Sequence, residues 1–153
     1  MPSIEENKKT WGEEYNWASN GEEWSASFGN SELHWLITIF PRIKRFLKKD
    51  ANILEIAPGF GRWTKYLKNN CKKLTIVDLN ANCIEHCKEK FSDETKIEYF
   101  VNDGKSLDMI EDDSLDFVFS YDSLVHVNQD VMENYLMQLS KKLNDGGFAF
   151  LHH

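Results

Sequence analysis

From residue 50 onward, the spacing of apolar positions switches regularly between two patterns. Short apolar runs predict buried strands, and segments in which apolar residues recur every three or four positions predict helices. The predicted strands are Asn52–Ala57, Leu74–Asp78, Ile97–Val101, Leu115–Ser120 and Phe148–His152. The predicted helices are Arg62–Asn69, Ala81–Phe91 and Val131–Leu143, the last of which ends at the glycine-rich stretch Asn144–Gly147.

This alternation predicts the fold class. Strands that alternate with helices imply right-handed crossovers and a parallel sheet that is covered on both faces. We therefore predict an α/β, Rossmann-like, doubly wound sheet over residues 31–153, with strand order 3-2-1-4-5. The ligand crevice is expected above the carboxyl ends of strands 1 and 4.

Residues 1–30 form a polar N-terminal segment that is rich in aromatic residues. Ser31 is the predicted cap of the helix that follows, and Pro41 either kinks this helix or starts a second one. Two interpretations of the aromatic residues stay open. They either pack the helix onto the sheet or form a lid over the crevice.

Composition narrows the function. The chain has 153 residues, a formal net charge of −7 and three cysteines. An acidic chain argues against a nucleic-acid partner, which is normally met by a basic face. No apolar run is long enough to cross a bilayer, and an odd number of cysteines suggests a reducing environment. We expect a cytoplasmic protein with no membrane or nucleic-acid partner.

Acidic residues follow each of the first three strands. Glu55 precedes a loop with the pattern Gly59-x-Gly61, while Asp78 and Asp103 follow strands 2 and 3. An acid after strand 2 can accept hydrogen bonds from a ribose diol. A dinucleotide pyrophosphate is disfavoured by Glu55, and Thr64 stands where the third glycine of the dinucleotide fingerprint belongs. A cationic cofactor without phosphate, S-adenosylmethionine, fits these residues better.

The same residues resemble the class I S-adenosylmethionine-dependent methyltransferases. The resemblance rests on Glu55-x-Ala57-Pro58-Gly59-x-Gly61, Asp78 and Asp103, and it covers about residues 31–153. More narrowly, the chain is similar to a bacterial group often associated with sugar or small-molecule modification. The further shared stretches are Gly21–Ser25, Phe40–Ile43, Gly59–Thr64, Asp122–His126 and His152–His153.

The resemblance implies a cofactor site. The backbone of Ala57, Pro58, Gly59 and Gly61 would hold the methionine end, with Glu55 preceding it. Asp78 would bind the ribose, and Leu79 would flank the adenine. Asp103 and Gly104 would meet the adenine amine, while Ser120 and Tyr121 would lie under the methyl group. The expected activity is methyl transfer to an oxygen or nitrogen of a small molecule or sugar.

Three residues are candidates for catalysis. Asp122 and His126 lie four positions apart just after strand 4, and His152 ends strand 5. Histidine titrates near neutral pH and suits a general base. The alternative is that His126 packs and Asp122 caps a turn. No metal site is predicted, because these ligands are scattered, and Cys83 and Cys87 are interpreted as structural thiols.

The chain ends at the fifth predicted strand, whereas the resembled family continues with a helix and strands 6 and 7. Strand 5 is then an exposed edge, at which self-association can occur. A non-catalytic S-adenosylmethionine-binding or assembly module therefore stays open as the alternative function. A nicotinamide-dependent oxidoreductase is a third, disfavoured by Glu55 and Thr64.

Overall fold

The computed structural model describes residues 1–153 and contains a sheet of five parallel strands. The strands are β1 (Asn52–Ile56), β2 (Lys73–Asp78), β3 (Ile97–Val101), β4 (Leu115–Ser120) and β5 (Leu143–Leu151). Their order in the sheet is β3-β2-β1-β4-β5, and every neighbouring pair is parallel. The predicted α/β class and strand order are confirmed.

Helices and single helical turns connect the strands. The α-helices are α1 (Ile4–Lys9), α2 (Ser31–His34), α3 (Phe40–Ile43), α4 (Thr64–Leu67), α5 (Ala81–Lys90) and α6 (Gln129–Lys142). Short 3₁₀ turns span Glu22–Phe28, Lys68–Asn70 and Leu124–His126, and π-helical turns span Thr10–Glu14 and Trp35–Ile39. None of these helices combines the length and apolar character that spanning a bilayer requires.

Two apolar layers cover the two faces of the sheet. Because side chains alternate along a strand, Ile53 joins the cluster with Trp35 and Trp63, whereas Leu54 joins the cluster with Tyr135 of α6. The first layer contains the π-helical turn Trp35–Ile39 with α3, α4 and α5, and the second contains α6. Because both faces of the sheet are covered, the strands are near-continuous apolar runs in the sequence.

The helix after the N-terminal segment begins at Ser31 and is capped by Asn30 rather than by the predicted Ser31. The Asn30 side chain accepts a hydrogen bond from the Leu33 amide and is the N-cap. The helix widens to π-helical bonding over Trp35–Ile39 just before Pro41, which lacks an amide donor. Pro41 is therefore accommodated by this π-helical turn, and the chain stays helical through Ile43.

Strand β5 is longer than predicted. It begins at Leu143 directly after α6, so the glycine-rich stretch predicted as a helix terminus lies within β5, between the pairs Leu115–Leu143 and Phe117–Phe148. An irregularity in register between Leu115 and Phe117 and a left-handed Gly146 (φ 78°) accommodate this stretch. Strand β5 lies at the edge of the sheet.

Candidate functional site

A deep cavity lies above the carboxyl ends of β1, β2 and β4, where doubly wound sheets bind ligands. It has an empty volume of about 1090 Å³, which includes space open to solvent. Its floor comes from the ends of the strands and the loops that follow them. Its roof comes from the N-terminal segment, residues 1–30. The predicted crevice is thus a cleft that this segment covers.

The loop after β1 makes a sharp turn along the cavity. Ala57, Gly59 and Gly61 all have positive φ angles, of 57°, 55° and 75°. Ala57 and Gly59 line the cavity. A Cβ on Gly59 would lie 2.8 Å from the Trp17 ring, and one on Gly61 would lie 2.7 Å from the Phe91 ring. Gly59 therefore admits the N-terminal segment, whereas Gly61 allows the loop to pack on Phe91 at the end of α5.

Asp78 connects this loop to the end of β2. Its carboxylate accepts hydrogen bonds from the amides of Gly59 (3.2 Å) and Asn80 (2.9 Å), and the residue lines the cavity while only 6% exposed. Burial raises the pKa of Asp78 to about 6, against the opposing effect of the backbone amides. The carboxylate is therefore mostly ionised at neutral pH and is held rigidly at the cavity wall.

Glu55 lies behind the loop and outside the cavity lining. It points from β1 to the layer of α4, where it accepts a hydrogen bond of 2.6 Å from the Thr64 hydroxyl. Burial raises the pKa of Glu55 to about 8, Thr64 opposes the rise, and the nearby Asp78 carboxylate adds to it. Glu55 is therefore a neutral acid at pH 7 that supports the loop through Thr64.

The loop after β3 presents a different residue from the expected one. Asp103 is exposed and caps its own turn by accepting hydrogen bonds from the amides of Lys105 and Ser106. Its neighbours Asn102 and Gly104 line the cavity. The Asn102 side-chain amide donates to the Ser106 carbonyl and the Tyr135 hydroxyl.

Of the predicted residues at the ends of β4 and β5, some line the cavity and others do not. Ser120 is fully buried and donates to the Ile56 carbonyl, whereas Tyr121, Asp122 and His126 line the cavity. His152 lies outside the lining. Its Nδ1 atom is 3.2 Å from a carboxylate oxygen of Asp122, and its ring stacks on Tyr121.

Arg62 was not predicted from the sequence, yet it lines the cavity and forms an ion pair of 2.5 Å with Asp122. Asn80, which meets Gly12 of the N-terminal segment, and Asn102 also line the cavity without having been predicted. Each of these follows a strand end or the glycine loop closely. Their position beside the predicted acids is the signal that could have identified them.

Aromatic rings of the N-terminal segment form the roof. Trp17 stacks on Phe60 at a centroid distance of 4.5 Å, and Trp11 packs on His126 at 5.0 Å. Trp11 also meets Trp24 edge to face at 6.1 Å. The interpretation of this segment as a lid remains a prediction, because closure concerns a motion.

No group of three or more His, Cys, Asp or Glu side chains converges as a metal site would require. Cys83 and Cys87 are buried, and Cys87 donates to the Gly59 carbonyl. His86, between them, stacks on Phe60. Cys87 therefore packs behind the loop, whereas Cys83 lines the cavity.

A doubly wound sheet with a glycine loop, a carboxylate after β2 and a covered cleft defines a nucleoside-cofactor enzyme of the class I methyltransferase type. Residues 53–147 match the family described as "Methyltransferase domain". The chain belongs to this family, and its cofactor is S-adenosylmethionine, as predicted from the sequence. The non-catalytic alternative is not favoured.

Solved structures agree with this fold. One is a putative S-adenosylmethionine-dependent methyltransferase from Methanococcus maripaludis, with a TM-score of 0.70 and 19% identity over 88% of this chain and 61% of that one. Another is phosphoethanolamine N-methyltransferase 1 from Haemonchus contortus, solved with phosphoethanolamine and S-adenosylhomocysteine. Its TM-score is 0.66, with 16% identity over 98% of this chain and 33% of that one.

Two curated relatives are both named ribosomal RNA small subunit methyltransferase A. The protein from Malacoplasma penetrans is 38% identical over 47 residues, which is 31% of this chain and 17% of that protein. The protein from Lachnoclostridium phytofermentans is 27% identical over 100 residues, which is 65% of this chain and 26% of that protein. The chain thus spans about a quarter or less of these relatives.

These relatives correct the predicted partners. The sequence analysis expected a small-molecule or sugar acceptor and no nucleic acid, whereas the curated relatives act on ribosomal RNA and point to a nucleic-acid substrate. The exclusion of nucleic acid rested on the formal net charge of −7, which sums the whole chain and says nothing of one surface. The small-molecule or sugar acceptor rested on the resemblance to a bacterial group alone.

Proposed function

We propose that this chain forms the cofactor-binding and catalytic part of a methyltransferase that modifies a nitrogen or oxygen of an RNA base. The placement of the Asp78 carboxylate, buried yet facing the cavity beside the glycine loop, carries the cofactor half of this proposal. The curated relatives support the acceptor class.

The residues around Asp78 fit a nucleoside cofactor. Each Asp78 oxygen accepts one backbone hydrogen bond and keeps a lone pair for a ribose hydroxyl. Leu79, Asn102 and Gly104 would flank the adenine, and the loop of Ala57, Pro58 and Gly59 would hold the amino-acid end. Glu55 would act indirectly, through Thr64, and Gly61 through its packing on Phe91.

When bound, S-adenosylmethionine supplies an electrophilic methyl group. The chain then has to exclude water, orient the acceptor and remove its proton. His126 lines the cavity and is our first candidate for the base. His152 is the second, because its Nδ1 atom lies 3.2 Å from the carboxylate of Asp122, which lines the cavity.

The N-terminal segment would act as the lid. It meets the cleft through Trp17 on Phe60, Gly12 on Asn80 and the Asn7 side chain, which donates to the His126 carbonyl at 2.8 Å. Trp24 is 49% exposed beside the cavity. An exposed indole at the mouth of a cleft can stack an unpaired base, which is how enzymes that modify bases hold them.

The test has two stages. Calorimetric titration with S-adenosylhomocysteine should show one site, and a folded chain that does not bind at high micromolar concentration would contradict the cofactor site. The chain is then incubated with radiolabelled S-adenosylmethionine and small-subunit ribosomal RNA, with free nucleosides and sugars as matched acceptors. We expect label in the RNA alone, and its loss in His126→Gln or His152→Gln identifies the base. Label only in nucleosides or sugars would refute the RNA assignment.

A further inference from the structure

Arg62 is the most buried positive charge at the cleft, and its guanidinium joins parts of the chain that are otherwise separate. Its side chain is 7% exposed. It donates to the Asp122 carboxylate after β4 (2.5 Å) and to the Ser25 hydroxyl of the N-terminal segment (3.2 Å). One side chain therefore connects the glycine loop, the lid and the acceptor side of the cavity.

The hydrogen bond from Arg62 to Asp122 involves a residue that contacts a candidate base. Asp122 has a φ of 65°, which is strained for a residue with a side chain. One of its carboxylate oxygens meets Arg62, and the other lies 3.2 Å from His152 Nδ1. The Asp122 amide donates a hydrogen bond to His152 Nδ1, at 3.3 Å. Arg62 thus holds the residue whose backbone and carboxylate both contact a candidate base.

The hydrogen bond from Arg62 to Ser25 is the first in a series of hydrogen bonds whose donors and acceptors can be assigned. An arginine N–H can only donate, so the Ser25 hydroxyl accepts it and directs its own proton to His34 Nδ1, 3.1 Å away. His34 then carries its proton on Nε2, which faces the Tyr121 hydroxyl at 3.4 Å. Burial lowers the pKa of His34, in agreement with a neutral ring. The chain returns to the cavity at Tyr121, beside Asp122.

We infer that Arg62 is a positioning residue that couples closure of the N-terminal segment over the cofactor to the placement of Asp122 and His152. Closure brings Ser25 to Arg62, and Arg62 then fixes Asp122. The acceptor side would be assembled only when the lid is closed, so that the site forms after the cofactor is enclosed. The inference rests on the proposed function for the roles of Asp122 and His152.

A second ion pair between the same two segments supplies the matched control. Lys65 of α4 contacts Glu22 of the N-terminal segment at 2.5 Å, and both side chains are about one-third exposed. Lys65 also donates to the Ser31 hydroxyl, at 2.9 Å, and neither side chain of the pair hydrogen-bonds to the side chain of Asp122 or Ser25. Lys65→Met therefore removes an attachment of the lid without touching the Arg62 contacts.

The test is hydrogen exchange measured by mass spectrometry on the full chain, with and without saturating S-adenosylhomocysteine. In the wild type we expect the ligand to slow exchange over residues 20–28 and 120–126. In Arg62→Gln, saturated with ligand, both regions should exchange at least about fivefold faster than in the wild type. Lys65→Met should stay within about twofold of the wild type over residues 120–126.

Coupling predicts effects at a distance, which a local structural role would not produce. Asp122→Asn should speed exchange over residues 20–28, to which Asp122 makes no hydrogen bond, and Ser25→Ala should speed exchange over residues 120–126. Arg62→Lys keeps the positive charge but loses the planar pair of guanidinium donors. Its exchange rates should lie between those of Arg62→Gln and the wild type. These conservative variants keep the test decisive if Arg62→Gln does not fold.

The outcomes separate this inference from the proposed function. If calorimetry shows no binding of S-adenosylhomocysteine to the folded wild type, the proposed function fails. If the ligand binds but Ser25→Ala and Asp122→Asn change only their own regions, the coupling is refuted. Equal effects of Lys65→Met and Arg62→Gln over residues 120–126 would also refute it, since any attachment of the lid would then suffice.

Discussion

Replacing Glu55 with glutamine should change how stability depends on pH. Glu55 has a pKa of about 8 in the folded chain, compared with 4.5 as the ordinary value. Between these values the folded chain holds a proton that the unfolded chain has released. Stability therefore falls as pH rises through this window, because the folded state binds more protons.

The magnitude follows from the width of the window. pH 7 lies roughly 2.5 pH units above the ordinary pKa of 4.5, at which the unfolded chain releases the Glu55 proton. Each of these units lowers the free energy of unfolding by about 1.4 kcal/mol. The acid thus costs on the order of 3 kcal/mol at pH 7. Glutamine has the same shape, can still accept from Thr64 and never ionises. One unsatisfied amide N–H can offset part of the gain, at about 1–3 kcal/mol.

The slope is therefore a sharper measure than the absolute stability. Urea unfolding of the wild type and Glu55→Gln should be followed from pH 5 to 8. The difference between their free energies of unfolding should grow by about 1.4 kcal/mol per pH unit. Glu98→Gln is the matched control, because Glu98 is an exposed glutamate on β3. Parallel curves for the wild type and Glu55→Gln would show that Glu55 is not held neutral, and would refute the reasoning.

Three further predictions concern the cleft. Asp78→Asn should weaken S-adenosylhomocysteine binding in calorimetry by about 10- to 100-fold, because hydrogen bonds to a charged group contribute about 1.5–3 kcal/mol; unchanged affinity would exclude Asp78 from the site. Since the pKa of Asp78 is raised to about 6, wild-type affinity should fall about tenfold per pH unit below pH 6, whereas Asp78→Asn should lack this dependence. Gly61→Ala should lower the free energy of unfolding by about 1–3 kcal/mol without changing affinity, because its Cβ would lie 2.7 Å from the Phe91 ring. Gly59→Ala, whose Cβ would meet Trp17, should instead reduce affinity. If Gly61→Ala reduced affinity and Gly59→Ala did not, these roles of the two glycines would be refuted.

The sequence predicted the sheet well because its information is local. Each strand is a short apolar run, each helix has its own period, and the handedness of crossovers then fixes the order of strands. The boundary of β5 was missed for a physical reason. Glycines after a helix usually end it in a loop, yet here Gly146 and Gly147 lie within β5, at the irregularity between the Leu115–Leu143 and Phe117–Phe148 pairs.

The site was harder to predict because its contacts are long-range. Both faces of a parallel sheet are apolar, so the sequence pattern could not tell that Glu55 faces α4 while Asp78 faces the cavity. Arg62 and Asp122 are separated by 60 residues, and their ion pair depends on how two loops meet. The roof of aromatic rings likewise depends on how the N-terminal segment folds back over the glycine loop.

Fewer carboxylates face the cleft in the structure than the sequence suggested. The sequence suggested a group of carboxylates, but Glu55 is a buried neutral acid, Asp103 is exposed, and Asp122 is paired with Arg62. Asp78 is the one of these four acids that faces the cavity without a cationic partner. If Glu55 were also ionised, it would raise the pKa of Asp78 further, because the two carboxylates are close enough for each to disfavour the charge of the other. Keeping one acid neutral behind the loop thus favours the anionic form of the other, which the proposed function places at the ribose, and the aromatic rings of the roof are the groups that can attract a sulfonium.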